Sequence, residues 1–263
     1  SPTHQPISSP FMEDGMPDLD AMRTSLREEG YAIAGRVLDD ALLEEARAAY
    51  DRIFAATEKP SSYRNLGAKE GEEVSAGAVL QIIDMWRLDP VFERILHLDH
   101  VLRMASALMD TESVVLYHDQ ALFKPALHGD VVPWHQDNGY WRLDPPEAIS
   151  LWIALDDVDQ ENGCMWVVPG SHRAGEVGHQ RAGAYIAQLK ADADEALAVP
   201  VPLPAGHGMF HHCQTLHMTR PNHSPRQRRA WVMHLMPPGT RQNGQELRDR
   251  LVLRGVYSGA DAQ

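Results

Sequence analysis

The sequence has few cysteines and no long apolar run. Cys164 and Cys213 form no CxxC pair, which argues against a disulfide framework and against a cysteine zinc site. No apolar run reaches the roughly 18 residues that a transmembrane helix needs. Residues 1–10 also lack the basic and apolar regions of a signal peptide. These absences predict a cytoplasmic protein that does not enter a membrane.

Basic residues are also scarce, since 24 lysines and arginines face 37 aspartates and glutamates, for a net charge of −13. Clustered basic residues dominate binding to the phosphates of nucleic acids, so we expect no nucleic-acid partner. The length of 263 residues, with 43% hydrophobic residues, suits one soluble domain with a sizeable core. A small molecule is the expected partner, and nothing in the composition selects an oligomeric state.

The pattern of residues divides the chain 1–263 into three parts of that single domain. Residues 1–17 contain four prolines and no apolar period, which predicts a mobile arm. Apolar residues at helical spacing predict helical support over 18–110, and short β runs predict a core over 111–240. The predicted fold is mainly β with a helical N-terminal part, a double-stranded β-helix or cupin-like jelly roll. Its eight predicted strands are Val114–Phe123, Val131–Asp137, Ile149–Leu155, Met165–Val168, Val199–Val201, Met209–His212, Thr215–Met218 and Ala230–Leu235.

Two stretches interrupt this pattern. Residues 57–76 are rich in Lys, Glu, Gly and Ser, which predicts a loop, and 174–197 predict an excursion that contains a helix at the rim of the jelly roll. Because binding residues are often on loops held by a rigid scaffold, we expect these stretches to select the substrate.

The most informative short motif is His135-Gln136-Asp137. Residues i and i+2 of a strand point to the same face, so His135 and Asp137 can reach one metal ion. Two histidines and one carboxylate leave three positions open on an octahedral ion, as in non-haem Fe(II) oxygenases. The pair alone is a weak signal, and its weight depends on a second histidine.

The setting of His217 favours it as that second histidine. It ends a β run and precedes a turn-rich segment, after which the next strand carries Arg228. Such a hairpin predicts His217 and Arg228 on adjacent strands, and a guanidinium can hold a carboxylate through two parallel hydrogen bonds. Arg226 has the same strand parity and is the alternative anchor. Composition alone does not choose among His207, His211, His212, His217, His223 and His234.

Together these motifs resemble the phytanoyl-CoA dioxygenase family of Fe(II)- and 2-oxoglutarate-dependent oxygenases. The resemblance spans residues 81–235, in the order and with the spacing of that family. It rests on His135-Gln136-Asp137, Trp152-Ile153-Ala154-Leu155-Asp156, Glu161-Asn162-Gly163-Cys164, Val168-Pro169-Gly170-Ser171-His172 and His217-Met218-Thr219, followed by Asn222, Ser224 and Arg228.

The resemblance implies a cofactor set of Fe(II), 2-oxoglutarate and O2. It implies that iron is bound by His135, Asp137 and His217, and that Arg228 pairs with the distal carboxylate of 2-oxoglutarate. Further contacts implied for the cosubstrate are made by Thr219, Trp152, Gln120 and Gln81.

The resemblance also narrows the chemistry. Relatives that halogenate lack the carboxylate of the H-x-D motif, so Asp137 implies hydroxylation, desaturation or ring formation with release of succinate and CO2. Tyr140 and Trp141 follow the motif in a polar loop, and with Gln136 they are the predicted contacts to a small or medium-sized organic substrate.

Two other functions fit parts of this pattern. A sensor module would bind the metal and 2-oxoglutarate without turnover, and a cupin-like isomerase or hydrolase would use another divalent metal. The isomerase would have no use for a carboxylate anchor such as Arg228, so specific binding of 2-oxoglutarate separates it from the oxygenase.

Overall fold

The computed structural model of the protein describes residues 18–256. The arm predicted at 1–17 lies outside the described residues. Within that range the α-helices are α1 (Leu19–Glu29), α2 (Asp40–Ala55), α3 (Pro90–Leu96), α4 (Asp99–Met109) and α5 (Asp137–Trp141), and the 3-10 helices are Met85–Arg87, Ser171–Ala174 and Glu195–Leu197.

Short antiparallel strands form most of the remaining regular structure. They are β1 (Tyr31–Arg36), β2 (Arg64–Asn65), β3 (Leu80–Ile83), β4 (Val114–Lys124), β5 (Val132–His135), β6 (Leu143–Asp144), β7 (Ile149–Ala154), β8 (Met165–Val167), β9 (Gln180–Arg181), β10 (Leu189–Lys190), β11 (Val199–Val201), β12 (His207–His212), β13 (His217–Thr219), β14 (Arg228–Met236), β15 (Arg241–Gln242), β16 (Gln245–Glu246) and β17 (Val252–Arg254). Each of the eight predicted β runs overlaps one of these strands.

The strands form a jelly roll of two main sheets, which confirms the predicted fold. The major sheet has the order β1-β12-β7-β14-β4-β3-β2, with β17 also paired to β4. The minor sheet has the order β11-β8-β13-β5. Because β1, β2 and β3 come from the N-terminal part, that part completes the major sheet as well as supplying the helices.

The N-terminal helices begin and end where their capping residues predict. The Asp18 side chain accepts a hydrogen bond from the backbone N–H of Ala21 at 3.0 Å, and Gly30 ends α1 with a φ of 78°. Asp39 caps α2 in the same way, through the N–H of Leu42 at 2.8 Å. Each cap satisfies an N–H that has no partner within the helix.

Alternation along the strands separates two cores. In β7, Leu151 and Ile153 belong to the cluster that packs against the helices. Trp152 and Ala154 belong to the cluster between the sheets. Because helices cover the outer face of the major sheet, both faces of this strand are buried, and its sequence is apolar at nearly every position.

Two local expectations were wrong. The predicted strand over 131–137 ends at His135, and Asp137 begins α5 instead. His217 and Arg228 lie in opposite sheets rather than on adjacent strands, because the turn-rich segment between them crosses from β13 to β14. The excursion 174–197 contains a helix, as predicted, in the form of the 3-10 helix Glu195–Leu197, together with the short strands β9 and β10.

No helix among the residues that the structure describes combines the length and the apolar character needed to cross a membrane.

Candidate active site

The H-x-D motif and His217 meet between the end of one strand and the start of a helix. β5 pairs with β13 so that His135 lies opposite His217. Asp137 follows as the first residue of α5. One ligand atom from each of the three side chains lies within 4.8 Å of the others, and all three residues are buried. The structure therefore brings together the three residues that the sequence predicts as metal ligands.

Backbone hydrogen bonds orient both imidazoles. The Nδ1 of His135 donates to the Pro133 carbonyl at 2.8 Å, and the Nδ1 of His217 donates to the Thr215 carbonyl at 2.9 Å. Each Nε2 then lies 3.3 Å from Oδ1 of Asp137. A bond from the second ring nitrogen to a carbonyl fixes the orientation of a metal-binding histidine.

The donor atoms of this cluster fit a divalent metal ion. With the proton on Nδ1, each neutral imidazole directs a lone pair at a carboxylate oxygen that is itself an acceptor. A proton on one Nε2 satisfies at most two of the three atoms, whereas a metal ion can accept electron pairs from all three. Two imidazole nitrogens and one carboxylate are the ligands typical of non-haem Fe(II).

The pKa values reflect this crowding. Burial alone would raise the pKa of Asp137, but His217 and His135 outweigh it and hold that pKa well below its ordinary value. Burial, and then the neighbouring His217, lowers the pKa of His135. The pKa of His217 is raised, because Asp137 outweighs the effect of burial. The carboxylate is therefore ionised near neutral pH, as a metal ligand must be.

Polar side chains of the major sheet contact the other oxygen of Asp137. The Ser150 hydroxyl donates to Oδ2 at 3.4 Å and lies 2.6 Å from Nδ1 of His234. Nδ1 of His211 is 3.8 Å from the same Oδ2. Burial lowers the pKa of His211 to about 3 and that of His234 well below its ordinary value. Both imidazoles are therefore neutral at neutral pH; His234 bonds to Ser150, whereas Nδ1 of His211 has no hydrogen-bond partner.

The predicted cosubstrate contacts Gln120 and Gln81 continue this hydrogen-bonded row. Nε2 of Gln120 lies 2.8 Å from Nε2 of His234, and Nε2 of Gln81 donates to Oε1 of Gln120 at 2.5 Å. Arg64 ends the row, because its Nε donates to Oε1 of Gln81 at 2.5 Å. The row thus runs from the edge of the major sheet at β2 to the cluster around Asp137.

Arg228 lies on the major sheet, facing the same cavity, with a fully buried guanidinium. Burial lowers its pKa to about 10, so it stays charged at neutral pH. Its Nε and Nη1 have no hydrogen-bond partner, and neither has the buried Oγ1 of Thr219. Trp152 lies beside the guanidinium, and the centroid of its ring is 5.3 Å from the guanidinium carbon. A buried cation without a partner is costly, so this end of the cavity suits an anionic group.

Arg226 has different surroundings. Its Nη2 donates to Oδ2 of Asp159 at 2.8 Å, and its side chain is 43% exposed. It does not line the cavity. Only Arg228 of these two arginines is therefore placed to reach a ligand beside the three-residue cluster.

One cavity of about 260 Å³ joins these groups. It is lined by the three predicted metal ligands and by the predicted cosubstrate residues Arg228, Thr219, Trp152, Gln120 and Gln81. Tyr140 and Trp141, predicted to contact the substrate, line it too. Gln136 does not: it is fully buried, with its amide donating to the Gly175 and Gln214 carbonyls. The expectation for Gln136 was wrong, because its neighbours in the sequence turn towards the cavity while its own side chain braces the excursion.

Segments 57–79 and 174–197, here called the rim pair, meet beside this cavity. The N–H of Ile186 donates to the Ala68 carbonyl at 3.0 Å. Lys69 and Tyr185 are bridged as antiparallel partners, and the Lys69 ammonium lies 4.9 Å from the Tyr185 ring centroid. The predicted loop over 57–76 and the predicted excursion over 174–197 thus contact each other.

Sequence reasoning missed three polar residues that line the cavity, namely His118, Arg64 and Gln188, and it missed Ser150, which contacts Asp137. His118 and Ser150 each lie two positions before a predicted cosubstrate contact on the same strand, so strand alternation could have found them. Arg64 and Gln188 belong to the rim pair, where no period exists that could have indicated them.

A jelly roll that holds two imidazoles and one carboxylate in a cavity with a buried arginine has the architecture of the 2-oxoglutarate-dependent oxygenases. The chain belongs to the phytanoyl-CoA dioxygenase (PhyH) family, whose profile matches residues 26–230. This finding confirms the family resemblance.

Individual relatives agree with this assignment. "Phytanoyl-CoA dioxygenase 1" of Oryza sativa subsp. japonica is 30% identical over 171 residues, which are 64% of this chain and 60% of the rice protein. "L-proline trans-4-hydroxylase" of Streptomyces griseoviridis is 34% identical over 109 residues, 40% of each chain. The crystal structure of EvdO2 from Micromonospora carbonacea var. aurantiaca complexed with 2-oxoglutarate has a TM-score of 0.67 and 28% identity, covering 86% of this chain and 93% of that one.

Proposed function

We propose that the chain is an Fe(II)- and 2-oxoglutarate-dependent dioxygenase. It oxidises an unactivated C–H bond of a small or medium-sized organic molecule, most simply by hydroxylation, with release of succinate and CO2. The observation that carries this proposal is that the cluster of His135, Asp137 and His217 lines the same cavity as the unpaired Arg228. Similarity to a proline hydroxylase and to a structure that holds 2-oxoglutarate supports it.

The proposal assigns a role to each group. His135, Asp137 and His217 would hold the iron, and Arg228 with Thr219 would bind the distal carboxylate of 2-oxoglutarate. When bound, iron and 2-oxoglutarate together activate O2 for the oxidation of the C–H bond.

The side chains of this protein supply binding, orientation and exclusion of water. The carbonyl bonds of the two ligand histidines hold the rings in place before metal binding, which lowers the cost of assembling the site. Trp152 fixes the plane of the guanidinium from one side, and Tyr140 and Trp141 supply aromatic surface on the substrate side. A cavity that the rim pair flanks limits the access of water to the reaction.

The test is binding and turnover under controlled metal content. Anaerobic titration of the metal-free protein with Fe(II) and 2-oxoglutarate should give the weak visible absorption of a chelated complex, and aerobic assays should show iron-dependent succinate release. His135→Ala and His217→Ala should each abolish both signals. His223→Ala is the matched control, because His223 is exposed and lies outside the cavity.

The proposal fails if the unmodified protein neither binds 2-oxoglutarate in the presence of Fe(II) nor consumes it with any candidate substrate. It also fails if His223→Ala loses metal binding as completely as His135→Ala does.

A further inference from the structure

Arg64 is a second arginine of the cavity, and the proposed function leaves it without a role. It lines the cavity from β2, at an exposed position. Asp137 is the only carboxylate that lines the cavity within the described part of the chain, and the proposed metal occupies it. Arg64 therefore has no countercharge of its own in the cavity wall.

Its guanidinium is anchored by one nitrogen and otherwise unpaired. Arg64 lies opposite Gln81 across β2 and β3, and its Nε donates to the Gln81 side chain. Between residues 18 and 256, neither terminal nitrogen makes a hydrogen bond or an ion pair. A guanidinium held at Nε presents a planar pair of donors, which matches the two oxygens of a carboxylate.

Gln188 supplies an acceptor to the same cavity. It is 2% exposed, and its Nε2 donates to the Leu66 carbonyl at 2.8 Å and to the Val131 carbonyl at 3.3 Å. Because both amide hydrogens are used on carbonyls, the orientation of the amide is fixed. Its Oε1 is buried without a partner. A buried acceptor of this kind is satisfied when a ligand supplies an N–H or O–H group.

Apolar and aromatic side chains also line the cavity. Among them are Leu66, Ile83, Tyr140 and Trp141. Burial raises the pKa of Tyr140, and the positive charge of Arg64 offsets part of that rise. A volume of about 260 Å³ lies below the range of roughly 300–1,000 Å³ typical of ligand sites. Because the cosubstrate takes part of it, only a small substrate fits beside it.

We propose that Arg64 and Gln188 form the substrate subsite, and that the substrate is a small carboxylic acid that also carries an N–H or O–H donor. An amino acid or a hydroxy acid with an apolar or aromatic side chain has this chemistry. The inference rests on the proposed function, and it assigns to Arg64 the substrate carboxylate and to Arg228 the cosubstrate carboxylate. Each of the two arginines therefore binds one of the two carboxylates.

The experiment compares ligands that share one skeleton. One set is L-leucine, L-leucinamide and 4-methylpentanoic acid, and a second is L-phenylalanine, L-phenylalaninamide and 3-phenylpropanoic acid. The amides lack the carboxylate and the deaminated acids lack the donor. Binding is measured by ligand-observed NMR on the protein, with and without Ni(II) and 2-oxoglutarate under anaerobic conditions. In at least one set the amino acid should bind about tenfold more tightly than either partner, as expected for a hydrogen bond to a charged group.

Variants of Arg64 locate the carboxylate. Arg64→Gln should reduce the affinity for the amino acid about tenfold and leave that for the amide unchanged, and Arg64→Lys should restore part of the loss. Arg52→Gln is the matched control, since Arg52 is an exposed arginine on α2 that pairs with Asp89 outside the cavity. Because the ligand sets change the ligand and not the protein, they test Gln188 without disturbing the bonds of its amide.

Equal binding of amino acids and amides would overturn the inference, and so would an unmodified protein that binds no acid of either set. An Arg64→Gln loss that is the same for acids and amides would also overturn it, because Arg64 would then only brace Gln81. Failure of the proposed function has a different signature, namely the absence of 2-oxoglutarate binding in the presence of metal, whichever ligand is added.

Discussion

At the scale of single residues, surroundings rather than residue type separate a binding group from a surface group. Arg226 and Arg228 are two positions apart and chemically identical. Arg226 forms an ion pair with Asp159 at the surface, whereas the guanidinium of Arg228 is buried in the cavity without a partner at Nε or Nη1. The pair therefore provides its own matched control.

Arg228→Gln is expected to weaken the binding of 2-oxoglutarate by about tenfold to a hundredfold, because it removes a charged hydrogen bond to a carboxylate. Arg226→Gln should change that affinity by less than about twofold, as surface ion pairs contribute little. Calorimetric titration of the Ni(II)-loaded protein under anaerobic conditions measures both. Equal losses in the two variants would contradict the assignment of Arg228 as the anchor.

The sequence allowed part of this site to be predicted. The three clustered residues could be predicted because the spacing of the family motifs selects them, although β5 ends at His135 and Asp137 begins α5. Residue patterns alone could not decide between Arg226 and Arg228, because both have the same strand parity. The structure distinguishes them, since β14 begins at Arg228 and Arg226 lies in the connection before it. Gln136 was misassigned because it lies between two residues that face the cavity, whereas its own side chain points away and donates to the Gly175 and Gln214 carbonyls.

At the scale of elements, the rim pair contains only the two-residue strands β2, β9 and β10. The Tyr185 hydroxyl donates to Oδ1 of Asp130 at 2.9 Å, which ties segment 174–197 to the chain just before β5. Short strands and exposed backbone place such a segment at the less stable end of the molecule. The strands beneath it are long and buried, as β14 is at every position.

Tyr185→Phe should therefore loosen the rim pair without affecting the sheets. Loss of one hydrogen bond costs about 1 kcal/mol, so amides of the rim pair should exchange about fivefold faster. Amides of β14 should be unchanged. Hydrogen exchange followed by mass spectrometry makes the comparison. Tyr31→Phe is the control, because the Tyr31 hydroxyl has no hydrogen-bond partner among the described residues; a rim that responds to both variants alike would contradict the prediction.

Strand positions were predictable because alternation and turn residues mark them, and each predicted run overlaps a strand. The rim pair was not, because its two segments are joined by the Lys69–Tyr185 bridge and by backbone hydrogen bonds across a long stretch of sequence. The Ala68 carbonyl accepts a hydrogen bond from the N–H of Ile186, which is far along the chain. Neither segment has a periodic pattern of apolar residues that would indicate this contact.

At the scale of the whole molecule, several buried imidazoles make stability depend on pH. Burial lowers the pKa of His118 and of His212 to about 4 each. In the unfolded chain these two histidines bind protons near pH 6.5, whereas in the folded chain they do so only near pH 4. The stabilisation is therefore complete above pH 6.5 and is lost as the pH falls from 6.5 towards 4.

The free energy of unfolding of the metal-free protein should accordingly fall between pH 6.5 and 5. His212→Asn, which keeps an acceptor for the Gln214 N–H, should reduce the slope by up to about 1.4 kcal/mol per pH unit. Urea unfolding at several pH values in the presence of a chelator measures it, and comparison with the unmodified protein removes the effect of net charge. His97→Gln, at an exposed histidine, should leave the slope unchanged. An unaltered slope in His212→Asn would contradict the prediction.

The cavity has two kinds of lining, and this division has a consequence for how such a chain can diverge or be redesigned. The proposed metal and cosubstrate groups lie on β3, β4, β5, β7, β13, β14 and the first turn of α5. Gln188 comes from the rim pair, and Arg64 from the short edge strand within it. Under the proposed roles, exchange of both rim segments together should change which molecules are accepted and leave the proposed metal and cosubstrate groups in place.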